Sequence, residues 1–410
     1  MRFATATLIC AAVILFGMMP VAAQETEITP YGFVLFNGGY NDHLATDIPV
    51  KVRPEGFGDS VSSLLFTARQ TRVGLKIKRV VEEWTTGGTV ELDFWGQKGS
   101  FNNGGSMQSA PRLRLAFFTI KKKDLQLLFG QDWTCFAPLS PNSLLHVSIP
   151  AFSSSGNLWN RMPQVRLDYT SVMSEGNTLL LQLAAVRPLA ADATNDSQAE
   201  LLGAGEYNGM PFGQARVAYS SGKKVTVGAS AHAGQADYAK AYPADGYTDD
   251  KTSTWGVAGD LKATIDQVAF AAEGFAGSNL GMLFSNAGTR KVAVTTMSAE
   301  GTIKVEGIDA VGGWAELTFT PKDSKVSFNG GAGLETLDET QVEEMTSEGA
   351  VQLFRNMTIF GNVMFEPIAK VAMALEIGYI KSTYKHRNDG ALEDKDGTNL
   401  NVAGGFRFAF

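Results

Sequence analysis

Leu400-Asn401-Val402-Ala403-Gly404-Gly405-Phe406-Arg407-Phe408-Ala409-Phe410 closes the chain. Every second residue is apolar or glycine, from Leu400 through Val402, Gly404, Phe406 and Phe408 to Phe410. The residues between, Asn401, Ala403, Gly405, Arg407 and Ala409, are small or polar. Successive side chains of a strand point to opposite faces, so the segment predicts one greasy face, one wet face and an aromatic terminus. A barrel wall standing between lipid and water needs those faces.

The same alternation recurs along the chain. Sixteen such segments can be drawn, the first two at Ile28–Asn41 and Leu64–Val80 and the last two at Lys370–Tyr384 and Thr398–Phe410. Short connections such as Lys122–Asp124 and Pro321–Ser324 alternate strictly with long ones such as Asp42–Ser63, Thr134–Pro163 and Lys385–Gly397. An up-and-down membrane barrel requires that sorting, with tight turns at the periplasmic end and long loops outside. The predicted fold is therefore all-β: a transmembrane antiparallel barrel of sixteen strands. A further hairpin within Thr289–Glu306 would make eighteen.

Period two also assigns faces. Val73, Leu75 and Ile77 lie opposite Arg72, Lys76 and Lys78; Val90 and Leu92 lie opposite Glu91 and Asp93. Leu113, Leu115 and Phe117 lie opposite Arg112 and Arg114; Val165 and Leu167 lie opposite Arg166 and Asp168. A charge facing hydrocarbon costs roughly 2–4 kcal/mol at mid-depth, so the apolar sets should face lipid and the charged sets the lumen. Side chains of the wall alone cannot fill a barrel of this size. Passage of small hydrophilic solutes is the expected function.

The other end of the chain supplies the route. Residues 1–23 carry Arg2, an apolar run from Ala4 to Met19 and Val21-Ala22-Ala23 as a small-residue cleavage site, which together predict an export signal. Cys10 lies inside that run, well before the cleavage site, which leaves Cys135 as the thiol of the mature chain and no internal disulfide framework. Residues 24–410 show no Pro-rich or Gly/Ser-rich linker and read as a single barrel domain. After residue 23 no stretch of 18 consecutive apolar residues occurs, so any membrane crossing must use strands. A net charge of -7 argues against nucleic acid as a partner.

Catalytic patterns are missing. His43, His146, His232 and His386 fit no metal-ligand spacing, and there is no nucleophile elbow, P-loop or dinucleotide fingerprint. Neither enzyme activity, nor a cofactor, nor a metal is expected. The alternatives are an adhesin or structural barrel with a plugged lumen, and a membrane-embedded hydrolase. Charge carries the rest of the functional reading. The loop Thr134–Pro163 contains no acidic residue, and it includes Arg161. Around it the wall offers Arg72, Lys76, Lys78, Arg112, Arg114 and Arg166 against Glu91, Asp93, Asp132 and Asp168. An acid-free loop folded against that ladder would leave a positive constriction and a mild preference for anions, such as small carboxylates. If the arginines instead pair with the wall acids, no selectivity results.

Ala68-Arg69-Gln70-Thr71-Arg72-Val73-Gly74-Leu75-Lys76 is similar to the second-strand signature of DcaP-like outer-membrane porins. Gly88-Thr89-Val90-Glu91-Leu92-Asp93-Phe94-Trp95-Gly96, Arg112-Leu113-Arg114-Leu115-Ala116 and Leu128-Phe129-Gly130-Gln131-Asp132-Trp133 also resemble that family. The specific likeness spans about residues 62–140; beyond it, Gly313-Trp314-Ala315-Glu316-Leu317 and the terminal Phe410 resemble porins in general. The resemblance implies a sixteen-stranded homotrimer in a Gram-negative outer membrane and uptake of small anions such as dicarboxylates. It further implies contact with outer-membrane lipid and lipopolysaccharide, and engagement of the barrel-insertion machinery through the strand that ends at Phe410. Some members carry an N-terminal coiled coil; here the first strand is expected within a few residues of Gln24.

Overall fold

A computed structural model describes residues 26–44, 48–58, 61–96, 109–189, 195–196, 199–200, 202–222, 224–241, 251–283, 293–297 and 303–410. The expected export signal at residues 1–23, with Cys10, lies outside the described residues. Among the described residues no helix is long and apolar enough to cross a membrane.

The wall begins with β1 (Glu27–Asn41), β2 (Ser63–Thr67), β3 (Arg72–Val81), β4 (Trp84–Asp93), β5 (Arg112–Lys122), β6 (Leu125–Trp133), β7 (Arg161–Ser174) and β8 (Asn177–Val186). A two-strand excursion, β9 (Asn195–Asp196) and β10 (Ala199–Glu200), stands apart from the wall. The wall resumes with β11 (Phe212–Ser221), β12 (Val225–Ala236), β13 (Thr252–Ile265) and β14 (Val268–Ser278). A second excursion, β15 (Ala293–Met297) with β16 (Ile303–Gly307), precedes β17 (Asp309–Phe319) and β18 (Val326–Leu337). Then come β19 (Val351–Ile368), β20 (Val371–Asn388) and β21 (Ala391–Ala409). Each wall strand pairs antiparallel with the next, and β21 returns to β1 through pairs running from Phe33–Ala409 to Asn41–Asn401. The ring is closed. Because β2 and β3 both pair with β1, one after the other, they are two halves of one wall strand, and the barrel has sixteen.

Closure leaves no edge, which hydrocarbon demands because it offers backbone amides no water. The faces sort as the alternation predicts. Val34, Phe36, Val73, Leu75, Val165, Leu167, Leu375, Ile377, Phe406 and Phe408 stand exposed on the outside, while Glu376 and Asn401 on the other register are buried within. Leu375, 62% exposed, lies well inside the long strand β20. Leu375→Arg is expected to cost roughly 2–4 kcal/mol. Denaturant titration of the barrel folded into vesicles should show it, and Ala374→Ser on the opposite face should shift the midpoint little.

Four departures from the sequence reading have local causes. The segment Leu64–Val80 is broken at Ala68–Thr71, where Gln70 turns inward and is 0% exposed. In β5 the pairing with β4 shifts between Glu91–Leu115 and Leu92–Leu113, so Arg114 is an extra residue, a bulge. Beyond it the faces exchange. Ala116 pairs with Val90 and Phe118 with Gly88, so these join Leu113 on the outer face, and Leu115 and Phe117 do not. Phe118 stacks on Phe129 of β6 there. Third, Lys385–Gly397 is no loop: β20 and β21 continue through it to a two-residue turn at Asp389-Gly390. Both turn residues have positive φ, 50° and 78°, the I′ geometry that suits hairpins and that Asp-Gly readily adopts. Last, a hairpin does form near Thr289–Glu306, but β15 and β16 pair only with each other and add nothing to the wall.

The hydrophobic core lies inside the barrel. Phe136, Leu158 and Met162, at the two ends of the long connection after β6, pack on Val186, Phe212 and Phe275 of the wall. Further along the connection, Leu144 packs on Leu35 and Ala372, and Phe152 on Trp314 and Phe360.

Candidate pore constriction

Residues 134–160 form an inner loop that enters the barrel from the top of β6 and returns to the top of β7. Backbone polar groups inside a barrel need partners, and the wall supplies them in sequence. Ala137 N donates to Ser230 Oγ (3.1 Å), Leu139 N to Glu273 Oε2 (3.0 Å) and Asn142 N to Glu316 Oε2 (2.8 Å). Ser143 Oγ donates to Glu376 Oε2 (2.7 Å), and His146 Nε2 lies 3.2 Å from Glu376 Oε1. The wall carboxylates explain why the loop carries no acid: one placed here would meet like charge where amide donors now sit. Cys135 is buried at the loop's start with Sγ 3.8 Å from Gln214 Oε1, and burial pushes the thiol up to about 11.

On the opposite wall the loop presents carbonyl groups. Gln70 Nε2 donates to Leu145 O (2.6 Å), and Gln70 Oε1 accepts from Val147 N (3.0 Å) and Ser148 N (2.9 Å). The break between β2 and β3 thus positions a clamp. Arg72 Nη2 donates to Val147 O (2.8 Å) and Arg112 Nη2 to Ser148 O (3.2 Å), while Ser148 Oγ donates to Asp93 Oδ2 (3.0 Å).

Below these contacts lies an ion network. Arg112 binds Asp93 through two nitrogens, at 3.0 and 2.6 Å. Arg114, aimed inward by the bulge, donates to Glu91 Oε1 (2.7 Å) and Asp93 Oδ2 (3.0 Å). Its side chain is 1% exposed and that of Asp93 0%, so both support the loop from beneath rather than touch open lumen. Arg72 Nε stands 3.5 Å from Glu91 Oε1. Arg166 lies between Asp132 (3.2 Å) and Asp168 (3.0 Å). Arg161 lies over the rings of Trp133 and Trp159, at 4.8 and 5.2 Å. The structure therefore brings together Arg72, Glu91, Asp93, Arg112 and Arg114 under the loop, with Arg161 and Arg166 at its return. Lys76 and Lys78 stand apart, nearer the short turns, with Lys76 4.9 Å from the ring of Tyr31.

A second segment also packs inside. Val52 of the first long loop is buried against Ile380. Val52 N donates to Ser382 Oγ (2.9 Å), and Ser382 Oγ donates to Asn356 Oδ1 (2.6 Å). Asn356 Nδ2 lies 2.8 Å from each of Val50 O, Ser154 O and Ser155 Oγ. One buried amide therefore holds both inward segments. Asn356→Ala should loosen them together, at roughly 0.5–1.5 kcal/mol per hydrogen bond lost. The expected result is new trypsin cleavage after Lys51 or Arg53 in a barrel that still migrates as folded without boiling.

No family model matches the chain, and no curated protein matches it. Solved structures do. The outer membrane channel DcaP of Acinetobacter baumannii superposes with a TM-score of 0.68 at 16% identity, over 96% of this chain and 99% of that one. Outer-membrane expressed OmpT of Vibrio cholerae gives 0.56 at 12%, over 96% and 100%. An anion-selective porin from Comamonas acidovorans gives 0.54 at 11%, over 94% and 100%. This chain has the porin-type barrel fold.

In this porin-type barrel the sequence reading located the charged ladder but missed the residues that hold the inner loop: Gln70, Glu273, Glu316, Asn356 and Ser382. Glu273 and Glu316 share the inward register, yet nothing in a strand pattern shows that a carboxylate faces a backbone amide. Gln70 sits in a run that alternates well enough to pass for uninterrupted strand.

Proposed function

We propose that the chain is an exported outer-membrane porin that passes small hydrophilic solutes by diffusion, with a mild preference for anions such as small carboxylates. The reading rests on one observation: a closed sixteen-strand wall, greasy outside and charged inside, with a loop docked in its lumen. Short turns face the periplasm in this reading, and the long loops face outward. The chain works as a homotrimer in lipid and lipopolysaccharide and inserts through the Phe410 strand. It is not an enzyme.

The sign preference has a smaller margin than the bare ladder suggests. On the arginine side of the loop, five guanidinium groups (Arg72, Arg112, Arg114, Arg161 and Arg166) meet four carboxylates (Glu91, Asp93, Asp132 and Asp168), while on the other side Glu273, Glu316 and Glu376 are engaged by loop donors. Most of the charge on the arginine side is paired, and Arg161, stacked on Trp133 and Trp159, supplies the surplus there. Reversal potential in a salt gradient tests the proposal. A modest anion preference is expected, and a cation preference contradicts it.

A further inference from the structure

Unpaired positive charge lies elsewhere, toward the short turns. We infer that Lys76, Lys78 and Lys121 form a recruiting site for multivalent anions, a polyphosphate or polycarboxylate, in the lumen on the short-turn side of the constriction. The inference rests on the channel reading for its use, but its test does not.

Register fixes where these lysines point. Arg72 reaches the inner loop, so it faces the lumen, and β3 pairs with β4 from Arg72–Asp93 to Val81–Trp84 without a shift. Lys76 and Lys78 share that parity, and Val73, Leu75 and Ile77 on the other stand exposed to lipid. Past the β5 bulge, Lys121 pairs with Gln126, whose Nε2 donates to the inward Asp168 Oδ2 at 3.2 Å. Lys121 faces inward too. All three are exposed.

Strand geometry puts Lys76 and Lys78 about 7 Å apart, and Lys121, two strands over, about 12 Å from Lys78 at Cα. Flexible lysine stems can close that gap on one chain of phosphates. None of the three has a carboxylate ion-pair partner among the described residues. Glu27 is the Cα partner of Lys78 without forming an ion pair, and Glu366 is taken by Arg407 at 3.5 Å. Lys122, on the opposite parity, is by contrast paired with Glu83. Arg72, Arg112, Arg114 and Arg166 above are engaged with carboxylates, whereas these lysines are not. An anion that clears the constriction meets these three lysines on its short-turn side.

Tripolyphosphate binding to detergent-folded protein, followed by calorimetry at low salt, tests this directly. Wild type should bind, and K76Q/K78Q/K121Q should bind roughly tenfold more weakly or not at all, since three exposed charges are lost. The triple variant should keep its heat-modifiable folded form. Unchanged affinity in the variant, or no binding by wild type, overturns the inference. In bilayers, tripolyphosphate should block current from one side at lower concentration than from the other, and the triple variant should lose that sidedness. Binding without any conductance would instead count against the channel reading alone.

Discussion

Arg114→Ala should destabilise the barrel by roughly 3–5 kcal/mol, because removing one partner of a buried ion pair strands the other. Two carboxylates each lose a buried partner here. Glu91 Oε1 and Asp93 Oδ2 both accept from this guanidinium, and Asp93 also carries Arg112 and the loop hydroxyl of Ser148. The damage should therefore reach the inner loop as well as the wall. The temperature at which the folded form converts to the unfolded one on a gel should fall well below wild type. Arg114→Lys keeps the charge but loses the two-pronged geometry, and should fall between them. Arg112→Ala should cost less, since its side chain is 27% exposed and water can replace part of what it gives. If Arg114→Ala unfolds at the wild-type temperature, the network is not holding the fold.

Gly156→Val should dislodge the inner loop without unfolding the wall. Gly156 has φ +100°, a conformation side chains rarely adopt, and a Cβ there would stand 2.6 Å from Gly313 N and closer still to its carbonyl. Backbone strain of this kind costs roughly 1–3 kcal/mol before the overlap is counted. The neighbouring wall is built to match: a Cβ at Gly331 would meet the Phe152 ring at 2.9 Å, and one at Gly333 would meet Phe152 Cβ at 3.0 Å. Glycine on both surfaces lets loop and wall backbones touch. With the loop displaced, single-channel conductance should rise and gating noise increase, while thermal stability of the folded form falls only modestly. A variant that conducts like wild type would mean the loop does not narrow the path.

The wall was legible where period two runs unbroken. In Val371–Tyr379 every second residue is apolar, and the structure exposes Leu375, Ile377 and Tyr379 while burying Glu376. The terminal segment behaves the same way. It failed where one residue changes the count. Leu113, Leu115 and Phe117 make a good apolar stripe, but so do Leu113, Ala116 and Phe118, and the pairing of Arg114 with Glu91 and Asp93 decides between them. That choice is tertiary and leaves no periodic trace. The top of β20 and β21 failed differently. His386, Arg387 and the run Glu393-Asp394-Lys395-Asp396 read as a solvated loop, yet Lys385 pairs with Glu339, Glu343 and Asp394 and ties the hairpin to the short helix Glu339–Met345. Asp389-Gly390 is the local sequence feature that suits this hairpin turn.

The same limit applies to the constriction. Charged residues facing inward can be read from alternation, so Arg72, Arg112 and Arg166 were found. Which of them remain unpaired depends on neighbours two strands away and on a loop that crosses the lumen. Sequence spacing does not encode those distances.

The measurement closest to the centre is electrical. Purified protein, folded in detergent and added to a planar bilayer, should produce discrete, ohmic current steps that grow with electrolyte concentration, as a closed wet cylinder must. A preparation that is β-rich and heat-modifiable yet leaves the bilayer silent would mean the two inward segments seal the lumen, and the transport reading would be wrong.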